Sequence, residues 1–142
     1  MNQIVEKELF SESVVKLVIE APRIARSRKA GHFVIVRTGE QGERIPLTIA
    51  EANVKKGTIT LIIQKVGVTS AKLCALEEGD FITDVVGPLG RPTHIEKVGT
   101  VLASGGGVGV APLYPIVEAF KKAGNRVITV LGGRTKEVII LE

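Results

Sequence analysis

The sequence predicts a six-stranded antiparallel Greek-key β-barrel followed by the first part of a parallel-sheet α/β domain. Short strand-like segments fill the first two thirds of the 142 residues, with no long helical pattern between them. Near Thr93 the pattern changes to strand, glycine-rich loop, helix and strand. We place the boundary so that residues 1–95 form the barrel and residues 96–142 form an incomplete nucleotide-binding domain.

The barrel strands are identified by β-branched residues in rough alternation with polar ones and by the turn residues between them. A single helix is predicted within this part, over residues 69–77, where Thr69 or Ser70 can cap the first turn. Leu73 and Leu76 are spaced to share one face of that helix. The predicted strands cover residues 4–9, 14–20, 33–37, 45–50, 58–64 and 81–86.

The second part begins with an apolar strand over residues 100–104, and a loop with four glycines in five residues, Gly105–Gly109, follows it. A helix is predicted over residues 111–123 because Leu113, Ile116, Val117 and Phe120 fall on one face. Pro112 falls in its first turn, where a missing amide hydrogen costs little. The second strand, residues 126–131, then pairs in parallel with the first. Two parallel strands and one helix cannot cover both sheet faces, so we expect a fragment of a longer protein.

Composition excludes several classes of protein. The chain carries 19 Lys and Arg against 15 Asp and Glu, a net charge of +4, with 44% hydrophobic residues, so it can bury a core. The basic residues are scattered and aromatic residues are few, which favours a solvated surface and no nucleic-acid partner. No apolar run suits a membrane span or signal peptide. The single cysteine, Cys74, excludes an internal disulfide and a cysteine-built metal site, and we expect a cytoplasmic protein.

The glycine-rich loop is the strongest candidate for a binding site. Glycines let a pyrophosphate approach the backbone amides at the start of the following helix. The spacing does not match G-x-G-x-x-G, and no acidic residue ends the second strand; instead Arg134 lies there, which weakly favours a 2′-phosphate. The alternative is a turn that only packs the strand against the helix.

Two further segments could bind a nucleotide. Arg44 could pair with a phosphate, and the Thr48 hydroxyl could hydrogen-bond the edge of a heteroaromatic ring. The amides that open the predicted helix near Thr69 and Ser70 could hold a second phosphate contact. Taken alone, Arg44 is more often a surface charge and the Thr69–Ser70 pair more often only a cap. The order of arginine, helix N-terminus and glycine loop is more specific than each part.

In this order the chain resembles the ferredoxin–NADP reductase superfamily, and within it the small flavin subunits. These are the dihydroorotate dehydrogenase electron-transfer subunit and the related subunit of sulfide dehydrogenase and NADH-dependent ferredoxin–NADP oxidoreductase. The resemblance covers essentially all of the chain. Its markers are Gly42–Ala50, Gly87–Gly90 and Gly105–Pro112.

The resemblance implies a barrel that holds FAD and a second domain that binds NAD(P)H, with no side chain needed as general acid or base. Thr48 would lie near the reactive ring nitrogen of the flavin. The residues implied to bind FAD are Arg44, Ile45, Pro46, Leu47, Thr48, Ile62, Ile63, Gln64, Gly67, Thr69 and Ser70. Those implied to bind NAD(P)H are Gly105, Gly106, Gly107, Val108, Gly109 and Pro112.

The resemblance also implies an electron route from NAD(P)H through FAD to an iron–sulfur centre or a larger partner oxidoreductase subunit, with ferredoxin as a further partner. The 2Fe-2S cluster is expected only in a C-terminal region that this chain does not contain, and Cys74 is expected to be a core residue. Arg134 favours NADPH whereas the most similar family members favour NADH, so both stay open. The rival interpretation is a non-catalytic β-barrel module that binds protein or oligonucleotide partners.

Overall fold

The computed structural model describes residues 2–142. Within that range it has a curled seven-stranded antiparallel sheet, a two-stranded parallel sheet and three α-helices. The strands are β1 (Asn2–Leu9), β2 (Val14–Glu20), β3 (Phe33–Arg37), β4 (Arg44–Asn53), β5 (Thr58–Gln64), β6 (Phe81–Ile82), β7 (Asp84–Leu89), β8 (Thr100–Gly106) and β9 (Arg126–Gly132). The helices are α1 (Pro22–Ser27), α2 (Val68–Ala75) and α3 (Val110–Lys122).

The large sheet closes on itself at Thr83. Its strand order is β6-β1-β2-β5-β4-β3-β7, so β6 and β7 are its two edges. Ile82 pairs with Asn2 at one edge and Asp84 with Arg37 at the other. Since only Thr83 separates Ile82 from Asp84, and successive Cα atoms are about 3.8 Å apart, the two edges meet. The predicted continuous strand over residues 81–86 is therefore wrong: it is two strands, which gives seven strands where six were predicted.

The predicted Greek-key connectivity is confirmed. Strands β3, β4 and β5 follow one another as antiparallel neighbours, and β2 lies beside β5. Three successive antiparallel strands, with a fourth strand joined to one end of the set by a long connection and lying beside the strand at the other end, form a Greek key. The long connection from β2 to β3 contains α1.

The barrel interior is filled by alternate residues of its strands. Leu17 of β2 pairs with Leu61 of β5, and both side chains are fully buried inside the barrel. Because side chains alternate across a strand, the residues between them point outward. Burial of each such side chain stabilises the fold by about 1.5–3 kcal/mol. The other large core residues are Ile4, Val15, Ile19, Val34, Val36, Ile49, Ile59, Ile63, Leu73 and Ile82.

Helix α1 is not predicted by the sequence, which marks Ala21-Pro22 only as a break. Pro22 lies at the first position of this six-residue helix, where its lack of an amide hydrogen is tolerated. Ile24 and Ala25 pack into the barrel core. Two buried residues in a single turn are too short a pattern to identify a helix from periodicity.

Strands β8 and β9 pair in parallel, as predicted, with Thr100 opposite Arg126 and Gly106 opposite Gly132. Helix α3 packs against these strands. Leu102 stays 70% exposed, and Ile128 and Val130 on β9 are also exposed. The small sheet is thus covered unevenly, as expected for two parallel strands with one helix.

A second apolar cluster joins the outside of the barrel to the start of α3. Its buried members are Val14, Ala50, Ile62, Val110, Ala111 and Ile140. Because Ile62 lies on β5 and Val110 opens α3, this cluster places the glycine-rich turn against the barrel. None of the helices described within residues 2–142 is long and apolar enough to cross a bilayer.

Candidate cofactor-binding site

The predicted flavin segment divides between the two faces of β4. Ile45 and Leu47 pack against the barrel core, whereas Arg44 and Pro46 are exposed and Thr48 shares their face. A flavin on the outside of this strand would therefore face Arg44, Pro46 and Thr48 and meet Ile45 and Leu47 through their backbone. The role of these residues in flavin binding stays a prediction.

The outward face of β4 continues onto β3. Arg44, Pro46 and Thr48 pair with Arg37, Ile35 and Phe33 respectively. This surface, which we call the outward strip, has two arginines at one end and Thr48 with Phe33 at the other. Four residues of strand separate the ends by about 13 Å.

Residues Phe33, Ile35 and Arg37 are absent from the sites predicted from the sequence. Their signal is the alternation within β3, where Val34 and Val36 are buried and the other three are partly exposed. That alternation indicates an outward face, but the pairing of β3 with β4 is what places it beside Arg44.

A carboxylate lies at the charged end of the outward strip. Asp84 Oδ2 accepts a hydrogen bond from Arg37 Nε at 2.7 Å and lies 3.4 Å from Arg44 Nη1. The hydrogen bond from Arg37 holds the pKa of Asp84 below its usual range, and the Arg44 guanidinium adds to the effect. Arg44 is more than half exposed, so its guanidinium remains accessible to a phosphate.

The start of α2 is open and capped. Gly67 is the N-cap residue, and Ser70, at the third helical position, bonds back to it: Ser70 Oγ accepts hydrogen bonds from the backbone amides of Val66 at 2.9 Å and Gly67 at 3.0 Å. Ala71 is the first residue whose amide bonds back to Gly67, which leaves the preceding first-turn amides without an intrahelical partner. No heavy atom outside the immediate chain lies within 4 Å of a Cβ built on Gly67.

The Thr69 hydroxyl connects α2 to the segment before β4. Thr69 Oγ1 donates to Glu43 Oε2 at 3.2 Å, 26 residues away in the chain. The structure thus brings together two predicted segments, the one around Arg44 and the one that opens α2.

The role predicted for β5 in flavin binding stays a prediction. Ile63 is 1% exposed and belongs to the barrel core, so its contact with a flavin would have to be made by its backbone. Ile62 faces outward but is buried against Val110 and Ala111. Gln64 ends the strand in an exposed position and leads to the loop before α2.

The glycine-rich turn has two kinds of glycine. A Cβ on Gly105 would lie 2.9 Å from Leu113 Cδ2, so this glycine allows α3 to approach β8. Gly107 has φ +55°, which favours glycine, and neither Gly107 nor Gly109 has a heavy atom within 4 Å of a built Cβ. Packing of strand against helix thus explains Gly105 but not the open space above Gly107 and Gly109.

The turn and the barrel lie side by side. Residues Gly107–Gly109 form a short 3-10 turn that contacts β5, and Val108 packs against the cluster that contains Ile62. Pro112 is exposed in the first turn of α3, as predicted. The predicted dinucleotide site is therefore adjacent to the end of the predicted flavin segment.

Other titratable residues offer no competing chemistry. Cys74 is buried and burial raises the pKa of its thiol, in agreement with the prediction of a core residue. His32 Nδ1 accepts a hydrogen bond from the amide of Lys29, and His94 lies 3.3 Å from Glu96 on the surface. Within residues 2–142 no group of three His, Cys, Asp or Glu side chains could hold a metal ion.

A groove of about 520 Å³ lies on the outside of β1, β2, β4 and β5, and Lys16, Glu51 and Thr60 are among the residues that line it. It contains none of the predicted cofactor residues. Its lining carries two acidic residues, Glu6 and Glu51, and two basic ones, Lys16 and Lys56, so the groove has no excess charge of one sign to attract a nucleotide.

No protein-family model matches the chain. The chain is 47% identical over 141 residues to the dihydroorotate dehydrogenase B (NAD(+)) electron transfer subunit homolog of Thermotoga maritima, covering 99% of this chain and 50% of the relative. It is 32% identical over 145 residues to the dihydroorotate dehydrogenase B (NAD(+)) electron transfer subunit of Bacillus caldolyticus, covering 98% and 56%. The chain thus spans about half the length of these curated relatives.

Solved structures share the architecture. An NADH-dependent reduced ferredoxin-NADP oxidoreductase structure matches with a TM-score of 0.96 and 46% identity, over 100% of this chain and 51% of that one. Phthalate dioxygenase reductase matches with a TM-score of 0.78 over 97% of this chain and 45% of that one. At 18% identity the second likeness shows the fold alone, a barrel followed by the start of a nucleotide-binding domain.

Proposed function

We propose that this chain, a relative of the small flavin subunits of the ferredoxin–NADP reductase superfamily, binds FAD and forms the flavin-holding part of an electron-transfer subunit. The observation that carries the proposal is the outward strip of β4. It runs from the accessible Arg44 beside the open start of α2 to Thr48. The charge of the arginine end suits the pyrophosphate of FAD, and the length of the strip suits an isoalloxazine ring at the Thr48 end.

Each group has a separate task in this proposal. The Arg44 guanidinium and the first amides of α2 hold the pyrophosphate of FAD. Thr48 hydrogen-bonds the ring edge, Pro46 lies beneath the linking chain, and the inward-facing residues contribute only their backbone. These residues bind and orient, and none is required to move a proton.

The glycine turn supplies the second site. Gly107 and Gly109 would present an open backbone to the diphosphate of NAD(P)H, and the contact of the turn with β5 supports a position of that nucleotide beside the flavin. The chemistry that a bound FAD would supply here is hydride acceptance from NAD(P)H and release of single electrons. The chain's contribution is to hold the two nucleotides next to each other.

The proposal extends to the electron route of the whole protein. The relatives are subunits named for electron transfer, which supports a larger partner oxidoreductase subunit, ferredoxin as a further partner and a cytoplasmic location. A 2Fe-2S cluster would lie outside these 142 residues. Their printed names support NADH, whereas Arg134 favours NADPH. Residues 91–98, in neither helix nor strand, support a domain boundary near residue 95.

The test is FAD binding by the purified chain. We expect added FAD to bind with quenched flavin fluorescence. Arg44→Ala should raise the Kd at least about tenfold, because a charge-assisted bond to phosphate is lost. Arg26→Ala, which removes an exposed arginine from α1, is the matched control and should leave the Kd unchanged.

A wild-type chain that takes up no FAD contradicts the proposed function and favours a non-catalytic module. Equal Kd values for Arg44→Ala and the control contradict the diphosphate assignment alone.

A further inference from the structure

We propose that Glu43 is a positioning residue for the FAD diphosphate, an inference that rests on the proposed function. Its carboxylate ties the segment that carries Arg44 to the first turn of α2 through Thr69. The two groups that hold the diphosphate belong to different segments of the chain, and the bond between Glu43 and Thr69 sets their separation.

The contact is specific to these two side chains. Glu43 Oε2 lies 3.2 Å from Thr69 Oγ1, and the hydroxyl donates because an ionised carboxylate can only accept. Thr69 is buried whereas Glu43 is exposed, so the glutamate reaches from the loop before β4 to a fixed point on α2. An exposed side chain held in this way reduces the freedom of the segment that follows it.

That segment begins with Arg44. Its guanidinium has only a long contact of 3.4 Å with Asp84, whose carboxylate is already bound by Arg37. The backbone of Arg44 pairs with Arg37 of β3, and on the side of α2 the bond between the preceding residue, Glu43, and Thr69 ties it to that helix. Fixing two phosphate-binding groups before the ligand arrives raises affinity because less ordering is required on binding.

The carboxylate also repels a diphosphate, so its charge and its hydrogen bond act in opposite directions. Glu43→Gln separates them, since the amide oxygen still accepts from Thr69 but carries no charge. Glu43→Ala removes both. Glu40→Ala is the matched control because it removes an exposed glutamate from the same loop, and the Glu40 side chain makes none of the loop's hydrogen bonds described for residues 2–142.

The experiment measures the FAD Kd of these variants by flavin fluorescence, with thermal unfolding to verify that each is folded. Glu43→Ala should raise the Kd by about tenfold, through loss of one charged hydrogen bond. Glu43→Gln should stay within about threefold of the wild type or bind more tightly, and Glu40→Ala should not bind more weakly. An unchanged Kd for Glu43→Ala, or a Glu43→Gln variant as weak as Glu43→Ala, overturns the inference.

A double-mutant cycle with Thr69→Val isolates the pair. We expect Glu43→Ala to have no further effect on the FAD Kd when Thr69 is already valine, because the shared bond is then absent. A full additional loss would show that Glu43 acts through something other than Thr69 and would overturn the inference. A wild-type chain that binds no FAD contradicts the proposed function, whereas wild-type binding with unaffected Glu43 variants contradicts only this inference.

Discussion

Asp84 accepts a hydrogen bond from Arg37 at 2.7 Å and so joins β7 to β3 immediately after the point where the barrel closes. The two residues are paired in register across the strands, and Arg44 completes the row on β4. A single carboxylate thus separates two arginines that would otherwise repel each other. It fixes the edge of the sheet and leaves Arg44 accessible.

This relationship predicts a pH dependence of stability. The pKa of Asp84 is lowered in the folded chain, chiefly by the hydrogen bond from Arg37. Its ionised form therefore stabilises the fold above the ordinary carboxyl pKa of about 3.9, and that stabilisation is lost as pH falls through the lowered value. We expect Asp84→Asn to be less stable than the wild type at pH 7. The difference in stability between the two should become smaller below about pH 4. Thermal unfolding against pH measures it.

Glu12→Gln is the control for that series, because Glu12 is an exposed carboxyl in the turn between β1 and β2. It should show no comparable gap. A difference between Asp84→Asn and the wild type that is constant from pH 7 to pH 3 would contradict the assignment.

The glycine turn predicts opposite stability effects at two neighbouring positions. Gly109 has helical φ −61° and open space at Cβ, so Gly109→Ala should keep or raise stability, by up to about 1 kcal/mol. Gly107 has φ +55°, so Gly107→Ala should cost about 1–2 kcal/mol. Denaturant unfolding of both variants tests this.

Gly109→Ala also tests nucleotide binding without introducing backbone strain, unlike Gly107→Ala. If the diphosphate of NAD(P)H approaches the turn, Gly109→Ala should weaken NAD(P)H binding although the fold is intact. Fluorescence titration of NADH and NADPH measures the change. Unaltered titration in a stable Gly109→Ala variant would show that the turn only packs the strand against the helix.

Asn125 is predicted to hold the start of β8 to the end of α3. Its Oδ1 accepts from the amides of Val98 at 2.7 Å and Gly99 at 2.9 Å, while Nδ2 donates to the carbonyls of Glu96 and Phe120. Asn125 is itself buried, and Asn125→Ala leaves these partly buried backbone groups without their side-chain partner, which should cost about 1–3 kcal/mol. Hydrogen exchange at the two amides should accelerate.

Asn53→Ala provides the comparison. Asn53 Oδ1 accepts one hydrogen bond, from the amide of Lys56, in an exposed turn. Its removal should cost about 1 kcal/mol or less. Equal effects of the two variants would refute the role given to Asn125.

Ile62 is predicted to couple the barrel to the second part of the chain. Its side chain is buried against Val110 and Ala111 on the outside of the barrel. Ile62→Ala should cost about 2–4 kcal/mol and accelerate hydrogen exchange in α3 more than in the barrel strands. Ile59→Ala, which removes an inward side chain from the same strand, should affect the barrel first. Unchanged exchange in α3 for Ile62→Ala would contradict the coupling.

The local sequence pattern was sufficient to predict most of the helices and strands. Alternation identified the main barrel strands, and the change of pattern near Thr93 identified the parallel pair, because both depend on residues close in sequence. The sequence missed α1, whose single turn is too short for a periodic signal. It also missed the break at Thr83. Residues on either side of Thr83 pair with different strands, and this pairing produces no recognisable pattern in the sequence of residues 81–86.

The site shows the same division. The motif around Arg44 and the glycine turn could be recognised from their residues, but a motif does not state which side of a strand each side chain faces. Ile45, Leu47 and Ile63 belong to predicted binding segments and turn inward. Glu43 and Arg37 were not among the predicted site residues. Glu43 is hydrogen-bonded to Thr69, and Arg37 to Asp84.

By itself, the sequence determined which segments become strands and which turn is rich in glycine, since backbone preferences and alternation are local properties. Only the tertiary structure decided that Thr83 unites two sheet edges, that Thr69 meets Glu43, and that Gly107–Gly109 rests against β5. These contacts arise when the curled sheet buries its inward residues, and that burial depends on all the strands together.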